Sequence, residues 1–316
     1  MDIEYLLWLQ GLREASGNIF TPFLLGLSNV AYTWLLFVPV FIYWCISKNN
    51  GLFLLASVAV SRFINGFIKP TVCAYRPFVR DSRIIPIGHA TGYSFPSGHT
   101  MWATPICGGL IILHRKKSAL VWLCVVMIIL TAFSRNYLGV HTPQDVVIGT
   151  LLGVLAICIT AKVWKHLDSP AVIVAALVLC AIEIAYIELK PYPMDYVDGK
   201  LLVDPVKMMN DSFHGTGLLV GFLIGRYVER KYINFSVTGL TFKGIVLALI
   251  GFVPYYFMVF TFASAYPEIW EALTSIFTAH GGRFVLGFTQ MFYVLALWPS
   301  VIKFCCRNDP QTSAGR

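Results

Sequence analysis

Charge is scarce in this chain. Only 13% of its 316 residues are Asp, Glu, Lys or Arg, where soluble domains carry about 25%. Hydrophobic residues make up 57%, and the mean hydropathy is +0.70. An ordinary soluble domain is excluded, and a polytopic membrane protein is expected. The net charge of +8 comes without the basic stripe that nucleic-acid binding needs; cytoplasmic membrane loops carry such an excess as well. The eight cysteines lack metal-ligand spacing and lie mostly inside apolar runs, where they read as packing residues. Cys305 and Cys306, just past the last apolar run, suit either lipidation or a plain membrane-edge position. Low-complexity tracts, internal repeats and a separate soluble domain are all missing. The opening MDIEYLLWLQGLREAS has neither the basic start nor the clean apolar run of a cleavable signal. Its mixture of Leu6, Leu7, Leu9 and Leu12 with Glu4, Arg13 and Glu14 suits a short amphipathic helix in the interface.

What the chain does have is long apolar runs. A membrane span needs about 20 such residues. Nine stretches qualify: approximately 28–47, 51–68, 96–114, 118–134, 143–164, 171–189, 212–228, 242–263 and 282–303. The expected fold is an all-α, polytopic helical bundle. Alternating the loops puts thirteen Lys and Arg on the C-terminal side and ten on the other, with Arg62 inside the second span. Basic residues favour the cytoplasm, so the C-terminus is expected inside and the N-terminus outside.

Three polar strings then share the outer face: KPTVCAYRP (69–77), YSFPSGHT (93–100) and SRNYLGVHTPQD (134–145). Lys69, Arg76 and Arg135 each stand at a span end, where a single basic residue could simply snorkel. Three together, beside two histidines, suit a phosphate, since guanidinium groups grip its oxygens in pairs. Pro96-Ser97-Gly98-His99 reads as a helix start, whose free N–H groups bind anions, with Gly98 allowing close approach. Thr142-Pro143-Gln144-Asp145 reads as another. Two readings of Asp145 stand: the third residue of a capping box, or a carboxylate that accepts the His141 ring N–H and orients the ring for attack. Two histidines can divide the labour, one attacking phosphorus and the other protonating the departing oxygen. With cations neutralising the developing charge, no metal is required, and the outer face has no carboxylate set fit for magnesium. His89, His214 and His280 read as ordinary histidines.

The pattern Lys69-x6-Arg76-Pro77, Pro96-Ser97-Gly98-His99 and Ser134-Arg135-x5-His141-x3-Asp145 resembles the three-part signature of the type 2 phosphatidic acid phosphatase superfamily. The resemblance covers roughly residues 50 to 165. It implies a metal-independent phosphatase or diphosphatase acting through a phosphohistidine, without cofactor. Carried over by position, His141 is the nucleophile, Asp145 its orienting acid, and His99 the acid for the leaving group and later the base for water. Lys69, Arg76 and Arg135 bind phosphate, aided by Ser97 and the Gly98 N–H. The chain then divides into an interfacial segment (1–27), a transmembrane phosphatase core (28–167) and additional C-terminal transmembrane helices (168–316). The expected substrate is a lipid phosphate or diphosphate, with a polyprenyl diphosphate such as undecaprenyl diphosphate preferred. A sugar phosphate, as for glucose-6-phosphatase, is the alternative, and a non-catalytic lipid transporter or flippase the reading from another class. Arg62 and Glu183, charged inside spans, are expected to meet below the catalytic pocket, directly or through water.

Overall fold

The computed structural model describes residues 2–88, 90–197, 199–261 and 267–307; His89 lies outside them. Helices α1 (Asp2–Ala15) and α2 (Thr21–Tyr32) open the chain, and α2 runs on through a 3-10 turn, the short α3 (Phe37–Phe41) and a π turn to Ile46. Next come α4 (Lys48–Val72), the short α5 (Pro77–Arg80), α6 (Gly98–Leu113), α7 (Ser118–Tyr137), α8 (Pro143–Val163) and α9 (Pro170–Leu189). Two-residue strands, β1 (Tyr196–Val197) and β2 (Lys200–Leu201), pair antiparallel. Helices α10 (Pro205–Val228), α11 (Phe242–Tyr256), α12 (Pro267–Phe292) and α13 (Trp298–Cys305) complete the described fold. A non-helical Thr278 kinks α12.

The all-helical membrane bundle is as expected, but the count differs. Among the described residues seven helices, not nine, are long and apolar enough to cross a membrane. The expected stretches 96–114 and 212–228 are helical without meeting that standard. Helix α6 has only 16 residues, about 24 Å at the α-helical rise against a hydrocarbon core of about 30 Å. Helix α10 has 24 residues, but its first half is polar, with Lys207, Asn210, Asp211, Ser212 and His214. Lipid-facing surfaces are evident on the outer helices: Trp122, Leu123 and Ile129 of α7 and Ile182 of α9 are more than half exposed. Such surface is stable only against hydrocarbon. The chain is an integral, multi-pass membrane protein.

One core lies where α10 meets α4, with Leu52, Leu55, Ala59, Leu219 and Phe222 buried beside Trp44 and Val294. A second lies between α4, α6 and α7, around Leu54, Val58, Ile106 and Cys124. Cys45, Cys107, Cys124, Cys180 and Cys306 are buried, as packing residues should be, while Cys158 and Cys305 are exposed. Helices α10 and α12 approach closely through glycine. A Cβ on Gly217 would stand 2.2 Å from the Phe284 carbonyl oxygen, and one on Gly287 would stand 2.2 Å from that of His214. Small residues let backbones meet this way inside membranes.

The expected Arg62–Glu183 pair does not form. Glu183 is buried and its Oε2 accepts from the Thr216 hydroxyl at 2.6 Å, while the Arg62 guanidinium lies over the Trp102 ring at 4.8 Å. Glu183 does reach α4, where its Oε1 would be 3.0 Å from a Cβ on Gly66. That is one helical turn beyond Arg62, so sharing a depth was not enough: the two side chains leave their helices toward different neighbours.

Candidate active site

Up-and-down threading brings the C-terminal ends of α4 and α7 and the N-terminal ends of α6 and α8 to one end of the bundle. All three motif strings therefore meet there. They line a cavity of about 310 Å³ that holds Lys69, Arg76, Gly98, His99, Arg135 and His141.

Helix α8 starts as its sequence dictates. Thr142 caps it and Pro143 takes the first turn. The Thr142 hydroxyl accepts from the Asp145 N–H at 3.3 Å, and Asp145 Oδ2 accepts from the Thr142 N–H at 2.8 Å. That is a capping box. The same Oδ2 lies 3.3 Å from His141 Nδ1. The two readings of Asp145 are thus compatible: the cap fixes the carboxylate, and the fixed carboxylate faces the imidazole. Ser94 also donates to that oxygen, at 2.5 Å, and its hydroxyl is 3.3 Å from His141 Nδ1.

With Nδ1 directed at a carboxylate, the proton belongs on Nδ1 and the Nε2 lone pair is free. Arg76 Nη1 is 3.2 Å from Nε2, a distance at which the guanidinium donates to that lone pair. His141 is only 2% exposed. The loop folds inward, and the Asn136 side chain donates to the His141 carbonyl at 2.9 Å. Burial, and then the nearby charges of Arg76, Arg135 and Lys69, push the His141 pKa well below the ordinary histidine value of 6.5. The ring is neutral at physiological pH.

The cations are held before any ligand arrives. Arg76 donates to the carbonyls of Gly92 (3.1 Å), Thr91 (2.8 Å) and Val140 (2.9 Å). Lys69 spends its three donors on the carbonyls of Tyr93, Ser94 and Pro96, the last at 2.7 Å. It therefore staples the second motif string to the first, and its positive charge stays in the cavity wall. Arg135 donates to the Ser28 hydroxyl at 2.6 Å and keeps its buried Nε without a partner. Ser97 occupies the cap position of α6, but its side chain makes no cap bond, and its buried hydroxyl has no partner. Helix α6 begins at Gly98, so Pro96 precedes the cap instead of lying in the first turn. His99 stacks on Tyr32 of α2, ring centroids 4.8 Å apart.

Ser134 stands apart: its hydroxyl donates to the Thr131 carbonyl within α7. Of the other histidines, His214 is bonded to Gln290 and His280 to Asn210. Three contributors were missed. Ser94 sits inside YSFPSGHT, but nothing in its spacing distinguishes it from Ser97. Tyr32 reads as an ordinary aromatic at a span end, and Ser28 as a small residue inside a span. Contact across sequence separations of about 50 to 107 residues leaves no local trace.

Residues 50–168, which contain all three strings, match the model of the PAP2 superfamily. The chain carries a PAP2 superfamily core. Phosphatidylglycerophosphatase B of Bacillus subtilis is 32% identical over 114 residues, 34% of this chain and 54% of that protein. An undecaprenyl-diphosphatase of Sulfolobus acidocaldarius is 28% identical over 125 residues, 39% of this chain and 59% of that protein. Sphingosine-1-phosphate phosphatase 2 of Mus musculus is 26% identical over 236 residues, reaching 69% of this chain and 64% of that protein. The chain thus spans a little over half the length of these relatives. No solved structure matches it. The PAP2 core ends with α8, and α9 to α13 lie outside it.

Proposed function

We propose that this protein is a metal-independent membrane phosphatase that hydrolyses a lipid phosphate or diphosphate through a phosphohistidine. The observation that carries the proposal is the His141 imidazole, with Nδ1 on the Asp145 carboxylate and Nε2 on the Arg76 guanidinium in a cavity shared with His99. A phosphoryl oxygen replaces the His141 lone pair as the acceptor for Arg76, which frees Nε2 to attack phosphorus. The N–P bond forms as the bond to the leaving oxygen breaks, and His99 delivers a proton to that oxygen. In the second half His99 takes a proton from water, the water oxygen attacks phosphorus, and the N–P bond breaks to release inorganic phosphate. Arg76, Arg135 and the charge of Lys69 stabilise the equatorial oxygens, with Ser97 and the Gly98 N–H as further donors. Five cations (Arg62, Lys69, Arg76, Arg135 and Lys207) line the cavity against one carboxylate, Asp211, a set suited to phosphate and not to a divalent metal.

A lipid is preferred because the site opens at a bundle end, where a chain can stay in the bilayer while its headgroup reaches the cations. The similarity to an undecaprenyl-diphosphatase supports a polyprenyl diphosphate. A lipid monophosphate is the second reading, supported by a sphingosine-phosphate phosphatase whose likeness extends past the core. By the charge asymmetry of the loops, the site faces the periplasm, exterior or lumen and the C-terminus the cytoplasm. The deciding experiment is phosphate release by the purified protein from polyprenyl diphosphate, lipid monophosphate and glucose 6-phosphate, in excess chelator. Turnover of the lipids with inhibition by vanadate is expected. Release from glucose 6-phosphate alone overturns the lipid reading, and release from none of the three leaves the transporter reading in its place.

A further inference from the structure

A second, deeper cavity of about 170 Å³ adjoins the catalytic one, sharing Tyr32, Arg62 and Asp211 as common wall. Helices α10 and α12, outside the PAP2 core, supply much of it. Its apolar walls include Leu55 and Val58 of α4, Leu218 of α10, and Leu286 and Met291 of α12.

Most polar groups there are already matched. His214 is bonded to Gln290 Oε1 at 2.9 Å, Gln290 donates to the Met258 carbonyl at 2.6 Å, and Asp211 pairs with Lys207 at 3.1 Å. Two groups are not. Arg62 of α4 and Arg283 of α12 both line the cavity, and each has a buried Nε without a hydrogen-bond partner. Among the described residues neither takes part in an ion pair. Each guanidinium lies over an indole, Arg62 on Trp102 at 4.8 Å and Arg283 on Trp270 at 4.6 Å. Such contacts return less than the cost of holding a cation among apolar side chains in a membrane. Two guanidinium groups facing one cavity with no carboxylate on either call for an anion. Arg62 lies seven residues before Lys69 on the same helix, about 10 Å below it along the axis, and its side chain lines both cavities.

Resting on the phosphatase reading above, we propose that Arg62 and Arg283 form a second phosphate subsite. It holds the proximal phosphate of a lipid diphosphate while the distal phosphate lies against His141, and the lipid chain continues along the apolar walls. The C-terminal helices then set substrate choice, favouring diphosphate over monophosphate.

The test is the ratio of kcat/KM for a polyprenyl diphosphate to that for the matching monophosphate, in wild type, Arg62→Met and Arg283→Met. A ratio taken within one preparation cancels any loss of folded protein. Removing one hydrogen-bonding cation should lower it by about tenfold or more, and Arg62→Lys should recover part of the loss. A ratio unchanged in both Met variants overturns the proposal. For the case in which the variants do not fold, wild type is titrated with a non-hydrolysable prenyl methylenediphosphonate and a prenyl monophosphonate. Inhibition by the first should be about tenfold tighter or more, and equal inhibition overturns the subsite. A wild type that hydrolyses the monophosphate but not the diphosphate also overturns it, leaving the phosphatase reading intact. Absence of hydrolysis of any lipid defeats the phosphatase reading itself.

Discussion

The PAP2 core and the helices that follow it are both apolar bundles, yet they use polar residues in opposite ways. In the core, Lys69, Arg76, Ser94 and Asp145 are tied to backbone or to one another at one end of the bundle. Their geometry exists before substrate arrives, which is how electrostatic stabilisation of a transition state becomes effective. The later helices carry polar groups chiefly at the ends of α10. They pack through glycine, as at Gly217 and Gly287, and turn Arg283 toward an internal cavity that Arg62 of the core also faces. The preformed polar network is concentrated in the first region; the glycine contacts and much of the deeper cavity belong to the second.

The largest effects should come from breaking the core. His141→Ala should abolish turnover and, because the ring is buried, also lower the melting temperature followed by tryptophan fluorescence, so turnover is read per folded molecule. Near-normal phosphate release from that variant would remove the nucleophile assignment. Asp145→Asn should cost about four orders of magnitude in kcat, as when other orienting carboxylates are neutralised. It should also cost about 1 kcal/mol of stability, because the same oxygen closes the α8 cap. Ser94→Ala removes one of three donors to that oxygen and should lower kcat by about tenfold. Single-turnover kinetics would separate these losses from substrate binding.

The second region should respond in the reverse sense. Gly287→Ala sets a methyl group against the His214 carbonyl, so α10 and α12 must part. A destabilisation of about 1–3 kcal/mol is expected from such overpacking, read as a lower melting temperature, with kcat per folded molecule preserved. If kcat collapses at an unchanged melting temperature, the division between the two regions is wrong.

The smallest effect is a pH shift. Because the folded state depresses the His141 pKa, the unfolded chain takes up that proton first as pH falls. Stability should therefore decline from about pH 6.5, the ordinary histidine value, downward until the folded pKa is passed. The neutral nucleophile persists over the same range, so the acid limb of kcat/KM should lie below 6.5. Arg135→Gln removes one of the repelling cations and should move the limb of its residual activity toward higher pH. Substrate ionisation would not move with that substitution, so an unmoved limb assigns it to the substrate.

The membrane class was legible in the scarcity of charge, because hydrocarbon tolerates so little of it. The convergence of the candidate residues was legible as well, since each lies in a short string at the end of a span, and up-and-down threading brings alternate span ends together. The Asp145 cap could be read locally because its bonds join residues three apart. Partners chosen across the bundle could not. Ser94 on Asp145, Tyr32 on His99 and Ser28 on Arg135 depend on helix rotation and tilt, which apolar runs do not encode. The count of spans depended on them too: α6 and α10 are helices inside the bundle whose length or polarity falls short of a membrane-crossing run. Arg62 and Glu183 show the same limit most plainly. Sequence places two charges at similar depth in the membrane, but a hydrogen-bonded ion pair forms only where the side chains can meet. The packing of α4 against α6 turned Arg62 toward Trp102, and that of α9 against α10 turned Glu183 toward Thr216.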